Sequence, residues 1–106
     1  MPAPHQTSIG VRRALRGLGR DLKAARLKRR LPMKIVADRA FTTRQTLQKI
    51  EMGDPAVGVG IYAAVLNALG LLDRLADLAA PGSDEIGEGF IAENLPRRVR
   101  LPRNEA

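Results

Sequence analysis

From Val11 to Leu78 apolar residues recur at steps of three and four, and the series is cut at Leu31-Pro32, Gly53-Asp54-Pro55, Gly70 and Pro81-Gly82. This constrains the fold more than any other feature. A period near 3.6 is that of a helix with one buried face, and proline or glycine at the cuts ends each helix. No strand-like alternation and no internal repeat occurs before the last two dozen residues. The expectation is an all-α chain of short helices.

The boundaries can be read locally. Residues 1–8 read as a disordered lead. From Ile9 to about Arg30 the apolar positions are Val11, Leu15, Leu18, Leu22 and Ala25. Gly17 and Gly19 weaken the middle, so this stretch is either two helices or one with a soft point. Pro32 stands near the first turn of a second helix, Met33 to Ala40, with Val36, Ala37 and Ala40 facing inward. Phe41-Thr42 is the turn. Thr43 has the hydroxyl to cap a third helix, Leu47 and Ile50 are its inner residues, and Gly53 fits a left-handed end. A fourth helix, Val59 to Leu69, buries Tyr62, Val65, Leu66 and Leu69. A fifth, Leu71 to Ala80, puts Leu71, Leu72, Leu75 and Leu78 along one side. The organisation is a lead, one helical domain over 9–80, and a tail over 81–106. In the tail, Ile86, Phe90 and Ile91 have helical spacing, and "LPRRVRLPR" reads as an extended arm, an edge strand or a disordered end.

Charge is unevenly placed along the 106 residues, whose net charge is +7. The first 32 residues hold nine Lys and Arg against Asp21 alone, whereas residues 54–94 hold seven acids against Arg74. A basic half beside an acidic half suits one surface to a polyanion. Some of Arg12, Arg13, Arg16, Arg20, Lys23 and Arg26 are therefore expected to meet phosphates. Of these, Arg16, Arg20 and Lys23 are the expected phosphate contacts.

Several classes drop out. There is no cysteine, and the single histidine, His5, sits in a Pro-rich start without a second one. Asp73, Asp77, Asp84, Glu85 and Glu88 show no metal-loop spacing, so they serve solubility or face a basic partner. No catalytic residue, metal or cofactor is expected. The most apolar run, Val57 to Leu72, is about 16 residues and broken by glycines, which is short for a membrane span. The Arg-rich, acid-poor start has some transit-peptide character but no secretory h-region. A cytoplasmic, nucleoid-associated location is expected.

Two short helices joined by a tight turn, the second carrying exposed Arg44, Gln45, Gln48 and Lys49, form a helix-turn-helix pattern. An α-helix fits the major groove, where Arg or Lys pairs with guanine O6 and N7 and Gln with adenine N6 and N7. The stretch "VADRAFTTRQTLQKIEMG" resembles the Cro/C1-type (XRE) regulators at Val36-Ala37, Ala40, Thr43, Leu47 and Ile50-Glu51-x-Gly53. "YAAVLNALG", ending in Leu69-Gly70, is similar to that family's fourth helix, and the resemblance spans residues 18–72. It implies a five-helix lambda-repressor-like domain and a homodimer on a palindromic operator in double-stranded DNA. Carried over by position, Arg44, Gln45 and Lys49 read bases with Gln48 as a further contact, while Thr43 and Lys34 touch phosphate.

The chain departs from the family pattern at Phe41, where glycine is usual, at Thr42, where an apolar residue is usual, and at Ile35, where a polar one is. The expectation is that Phe41 supplies the missing buried side chain on a different turn, and that Ile35 packs on the extension before Leu18. Glu51 is expected to pair with a basic residue of the first helix. Leu71, Leu72, Leu75 and Leu78 either close the core or form a dimer or partner seam. With the acidic connector and the basic end, "LLDRLADLAA" also resembles HipB-like antitoxins. That resemblance implies a repressor of its own operon that restrains a HipA-like kinase toxin. The rival readings are a stand-alone regulator and a helical protein-binding adaptor.

Overall fold

A computed structural model describes residues 7–91 of the chain. The first six residues of the expected lead and the "LPRRVRLPR" stretch lie outside the described residues. Within them the chain is all-helical, with no strand, and it divides after Leu75 into two compact units.

The first unit is built from α1 (Ile9–Lys28), α2 (Met33–Arg39), α3 (Arg44–Glu51), α4 (Val59–Ala68) and the short α5 (Leu72–Ala76) that reaches its end. Its core is Leu22, Val36, Ala37, Ala40, Leu47, Ile50, Tyr62, Val65, Leu66 and Leu69, with Leu18, Ala25, Leu71 and Leu75 among the half-buried residues around it. These are the inner positions that the three-and-four spacing picks out. α3 packs against α1 and α2, and α2 packs against α4.

Glycines 17 and 19 do not break α1, which is one helix of 20 residues. Ser8 caps it, its hydroxyl accepting from the Val11 amide at 3.2 Å. Val11 lies outside the buried stripe and is 49% exposed.

Four helices end in one way. After each C-cap the next residue has positive φ, at Arg30 (52°), Phe41 (56°), Gly53 (76°) and Gly70 (78°). In each case a doubled hydrogen bond closes the end. For α2, Thr42 N–H reaches Ala37 C=O at 2.9 Å and Phe41 N–H reaches Asp38 C=O at 3.1 Å. For α3, Asp54 N–H reaches Lys49 C=O at 3.0 Å and Gly53 N–H reaches Ile50 C=O at 2.9 Å. This Schellman arrangement satisfies carbonyls that a helix end would leave orphaned.

Phe41 corrects an expectation. The backbone takes a positive φ that suits a glycine, and the ring is not buried: it is 95% exposed. With Phe41 in this left-handed conformation at the end of α2, its ring stands in solvent and does not fill the core. Thr42 is half-buried, and Ile35 stands 38% exposed, outside the core cluster.

The fifth helix is also shorter than its pattern. It covers five residues rather than Leu71 to Ala80, and its leucines divide. Leu71 and Leu75, four residues apart, pack against the core, while Leu72 is exposed.

The second unit begins at Ala76. It holds Leu78, which is exposed, a single 3-10 turn (Pro81–Ser83) and α6 (Glu85–Ile91), the short helix that the spacing of the tail suggests. The Asp84 carboxylate caps α6 by accepting from the Gly87 amide at 2.9 Å.

Candidate nucleic-acid interface

α3 is seated by two side chains. Leu47 and Ile50 are fully buried, both at 0% exposure. Burial of this kind contributes about 1.5–3 kcal/mol per side chain, enough to hold a helix too short to persist alone. Its N-terminus is closed by Thr43, whose Oγ1 accepts from the Thr46 amide at 3.1 Å and lies 3.1 Å from Thr46 Oγ1. That cap fixes the first turn, where Arg44 and Gln45 stand.

Arg44, Gln45, Gln48 and Lys49 are all exposed. At about 100° per residue they span an outward arc of about 140°, opposite Leu47 and Ile50. None of the four makes an ion pair or a side-chain hydrogen bond among the described residues. The face offers guanidinium, two carboxamides and ammonium, which together donate and accept hydrogen bonds. α3 has eight residues, so it is about 12 Å long, close to the width of the major groove at about 12 Å.

The basic residues of α1 are not equivalent. Arg12, Arg16, Arg20 and Lys23 follow one another at steps of four, four and three, and all are exposed on one stripe. Arg26 is different: it is buried and cannot meet a phosphate. Its Nε donates to Glu51 Oε2 at 2.7 Å, its Nη2 to Glu51 Oε1 at 3.1 Å and its Nη1 to the Leu31 carbonyl at 3.1 Å. Glu51 thus has its expected partner on the first helix, and that partner leaves the set of phosphate ligands. Arg26 stands four residues after Leu22 and three after Lys23, on the border between the apolar and the basic stripe.

Lys34 lies exposed in the first turn of α2, and its Nζ meets Asp38 Oδ2 at 3.2 Å. Such an exposed i,i+4 pair is worth about 0.3–0.5 kcal/mol. An incoming phosphate can therefore displace Asp38 at small cost.

The loop after α3 is held by Asp54. Its Oδ1 accepts from the Ala56 amide at 2.8 Å, and its carbonyl accepts from the Tyr62 hydroxyl at 2.8 Å. Burial, and then the nearby Asp54 charge, raise the Tyr62 pKa above the usual phenol value. The break at Gly53-Asp54-Pro55 is where the sequence places it, while the two hydrogen bonds of Asp54 are not foreseen there.

Glycine sets how closely α1 crosses α3. A Cβ on Gly19 would lie 2.6 Å from the carbonyl oxygens of Ile50 and Glu51. One on Gly53 would lie 2.6 Å from the Arg16 backbone nitrogen and Cα. The first half of α1 therefore runs against the C-terminal end of α3. An open cleft here is lined by Arg12, Arg16, Lys49 and the Met52–Pro55 segment.

Among the described residues no three His, Cys, Asp or Glu side chains gather where a metal could bind, and no helix is long and apolar enough to cross a membrane. Comparison with protein-family models, curated proteins and solved structures finds no match for the chain.

Proposed function

We propose that the protein is a sequence-specific repressor that binds double-stranded DNA through α3, on a five-helix lambda-repressor-like domain of the Cro/C1 type. The carrying observation is the two-sidedness of α3. Leu47 and Ile50 anchor it while Arg44, Gln45, Gln48 and Lys49 face outward without partners among the described residues. Arg44 and Gln45, beside the Thr43 cap, are the residues that reach base edges, with Gln48 and Lys49 next along the face. The basic stripe of α1 and Lys34 hold phosphates and set register without choosing sequence. Thr43 adds a hydroxyl contact to the backbone. A homodimer would place two such helices on the half-sites of a palindrome about one helical turn apart. The working location is the cytoplasm, on the nucleoid.

Selection of duplexes from a random pool tests this reading. The wild-type chain is expected to enrich a palindromic site. Arg44→Ala is expected to cost about 1–3 kcal/mol at one base pair and to relax preference there. A wild-type chain that enriches nothing, or an Arg44→Ala loss equal on selected and random duplex, overturns it. An adaptor using the same fold as a scaffold would show no steep loss of duplex affinity with salt.

The antitoxin role concerns the second unit, where Leu78 and Ile86 are 75% and 77% exposed beside acidic residues. Exposed apolar side chains among acids suit a protein partner, here a HipA-like kinase. Purification from the native host is expected to yield the chain together with the product of a neighbouring gene. A chain recovered alone from a lone gene leaves a stand-alone regulator.

A further inference from the structure

We infer that Arg12, Arg16 and Lys49 form one phosphate-binding cleft at the C-terminal end of α3, which makes Lys49 a backbone ligand rather than a base reader. The inference rests on the DNA-binding reading above and adds a second point of grip to it.

Electrostatics gives the cleft its purpose. A helix about as long as the groove is wide brings its far end towards a sugar–phosphate strand when its N-terminal turn is at the bases. The C-terminus of a helix carries roughly half a negative charge, so α3 alone would repel that phosphate. Three cations stand at this end. Arg12 and Arg16 come from α1, one turn apart, and Lys49 comes from the last turn of α3. Among the described residues none of them makes an ion pair or side-chain hydrogen bond. The only acid lining the cleft is Asp54, whose Oδ1 is engaged by the Ala56 amide. Three unpaired cations around a single carboxylate leave the cleft positively charged.

The backbone that carries the cations is also closely packed. Gly53 lies against the Arg16 backbone, and Gly19, three residues on, lies against the end of α3. Two side-chain-free contacts bring the backbone of the first half of α1 close to the end of α3, which sets the positions from which Arg12, Arg16 and Lys49 reach the cleft. Arg20 and Lys23 continue the stripe but do not line the cleft. Lys49 is five residues beyond Arg44, more than one turn further from the base-reading end, and its cleft neighbours are arginines.

The experiment measures affinity against salt for the full chain on two duplexes, the one that wild type enriches from a random pool and an unselected one. Each phosphate contact contributes about 0.9 to the slope of log K against log salt. Arg12→Gln/Arg16→Gln is expected to flatten the slope by about 1.8 on both duplexes. Lys49→Gln is expected to flatten it by about 0.9, with the ratio of the two affinities unchanged. Lys28→Gln/Arg74→Gln removes the same charge from exposed sites outside the cleft and is expected to leave the slope near wild type. Circular dichroism checks that each variant is folded. A fall in the affinity ratio for Lys49→Gln returns that residue to base reading and overturns the assignment. So does an equal flattening by Lys28→Gln/Arg74→Gln, which would mean a diffuse field. If Arg44→Ala erases preference while Arg12→Gln/Arg16→Gln changes nothing, the cleft is wrong and the DNA-binding reading stands. If wild type binds neither duplex, both fall.

Discussion

Arg26 and Glu51 close on each other through two hydrogen bonds, at 2.7 and 3.1 Å, with their side chains only 9% and 7% exposed. The pair joins α1 to the last residue of α3, and its third bond, to the Leu31 carbonyl, ties in the turn before α2. Removing one partner leaves a buried charge without compensation. Glu51→Ala is therefore expected to cost about 3–5 kcal/mol in urea unfolding. Replacing both, as Arg26→Met/Glu51→Leu, is expected to recover most of that loss, because neither charge then has to be desolvated. A double variant no more stable than Glu51→Ala would show that the pair contributes more than the avoidance of an orphaned ion.

Gly17 and Gly19, two residues apart in one helix, are expected to respond in opposite directions. A Cβ at Gly17 meets nothing within 4 Å, and one at Gly19 meets two carbonyl oxygens of α3 at 2.6 Å. Gly17→Ala is expected to stabilise by about 0.5–1 kcal/mol, the usual gain of alanine over glycine inside a helix. Gly19→Ala gains the same propensity but must push α1 off α3, at about 1–3 kcal/mol. Thermal unfolding of the two variants decides it. Equal gains would mean that the close crossing does not persist in solution.

Much of this arrangement was legible in the sequence. Thr43 and Gly53 bracket α3 because a hydroxyl at one end and a residue free to take positive φ at the other meet needs local to the backbone. Leu47, Ile50, Val36 and Ala37 follow from spacing alone. What was not legible depended on distance in the chain. Glu51 needed a cation from the first helix, but choosing Arg26 among nine basic residues requires knowing which edge of α1 touches α3. The leucines after Gly70 show the same limit. Asp77-Leu78-Ala79 contains no helix breaker, so nothing local marks the end of α5 at Ala76. At the candidate site the exposed face of α3 could be read in advance. The meeting of Lys49 with Arg12 and Arg16 could not, since it depends on how closely two glycines let the helices cross.

Phe41 occupies a glycine's conformation at φ 56° while its ring is 95% exposed. The ring therefore contributes little burial to offset the strain. The left-handed region costs a side-chain-bearing residue about 1–2 kcal/mol, and glycine gives back about 0.5–1 kcal/mol in backbone entropy. Phe41→Gly is expected to raise stability by about 0.5–1 kcal/mol, whereas Phe41→Ala, which keeps a Cβ, gives no such gain. Chemical denaturation of the pair separates the conformational effect from loss of the ring. A destabilised Phe41→Gly would show that the ring holds something in solution.

Tyr62 links the α3–α4 loop to alkaline stability. Its hydroxyl donates to the Asp54 carbonyl at 2.8 Å, and burial together with the Asp54 charge raises its pKa. The neutral phenol is favoured in the fold. Below the phenol's ordinary pKa of about 10, both folded and unfolded chains keep the proton, and the stability from this group is fully present. As pH rises past that value the unfolded chain ionises first and binds fewer protons, so stability falls until the folded phenol ionises too. Tyr62→Phe is expected to cost about 1 kcal/mol at neutral pH through the lost hydrogen bond. It is also expected to flatten the decline in stability above pH 10 relative to wild type. Urea unfolding at pH 7 and across the alkaline range measures both effects. A variant that declines as steeply as wild type would show that the Tyr62 phenol is not the source of the alkaline sensitivity.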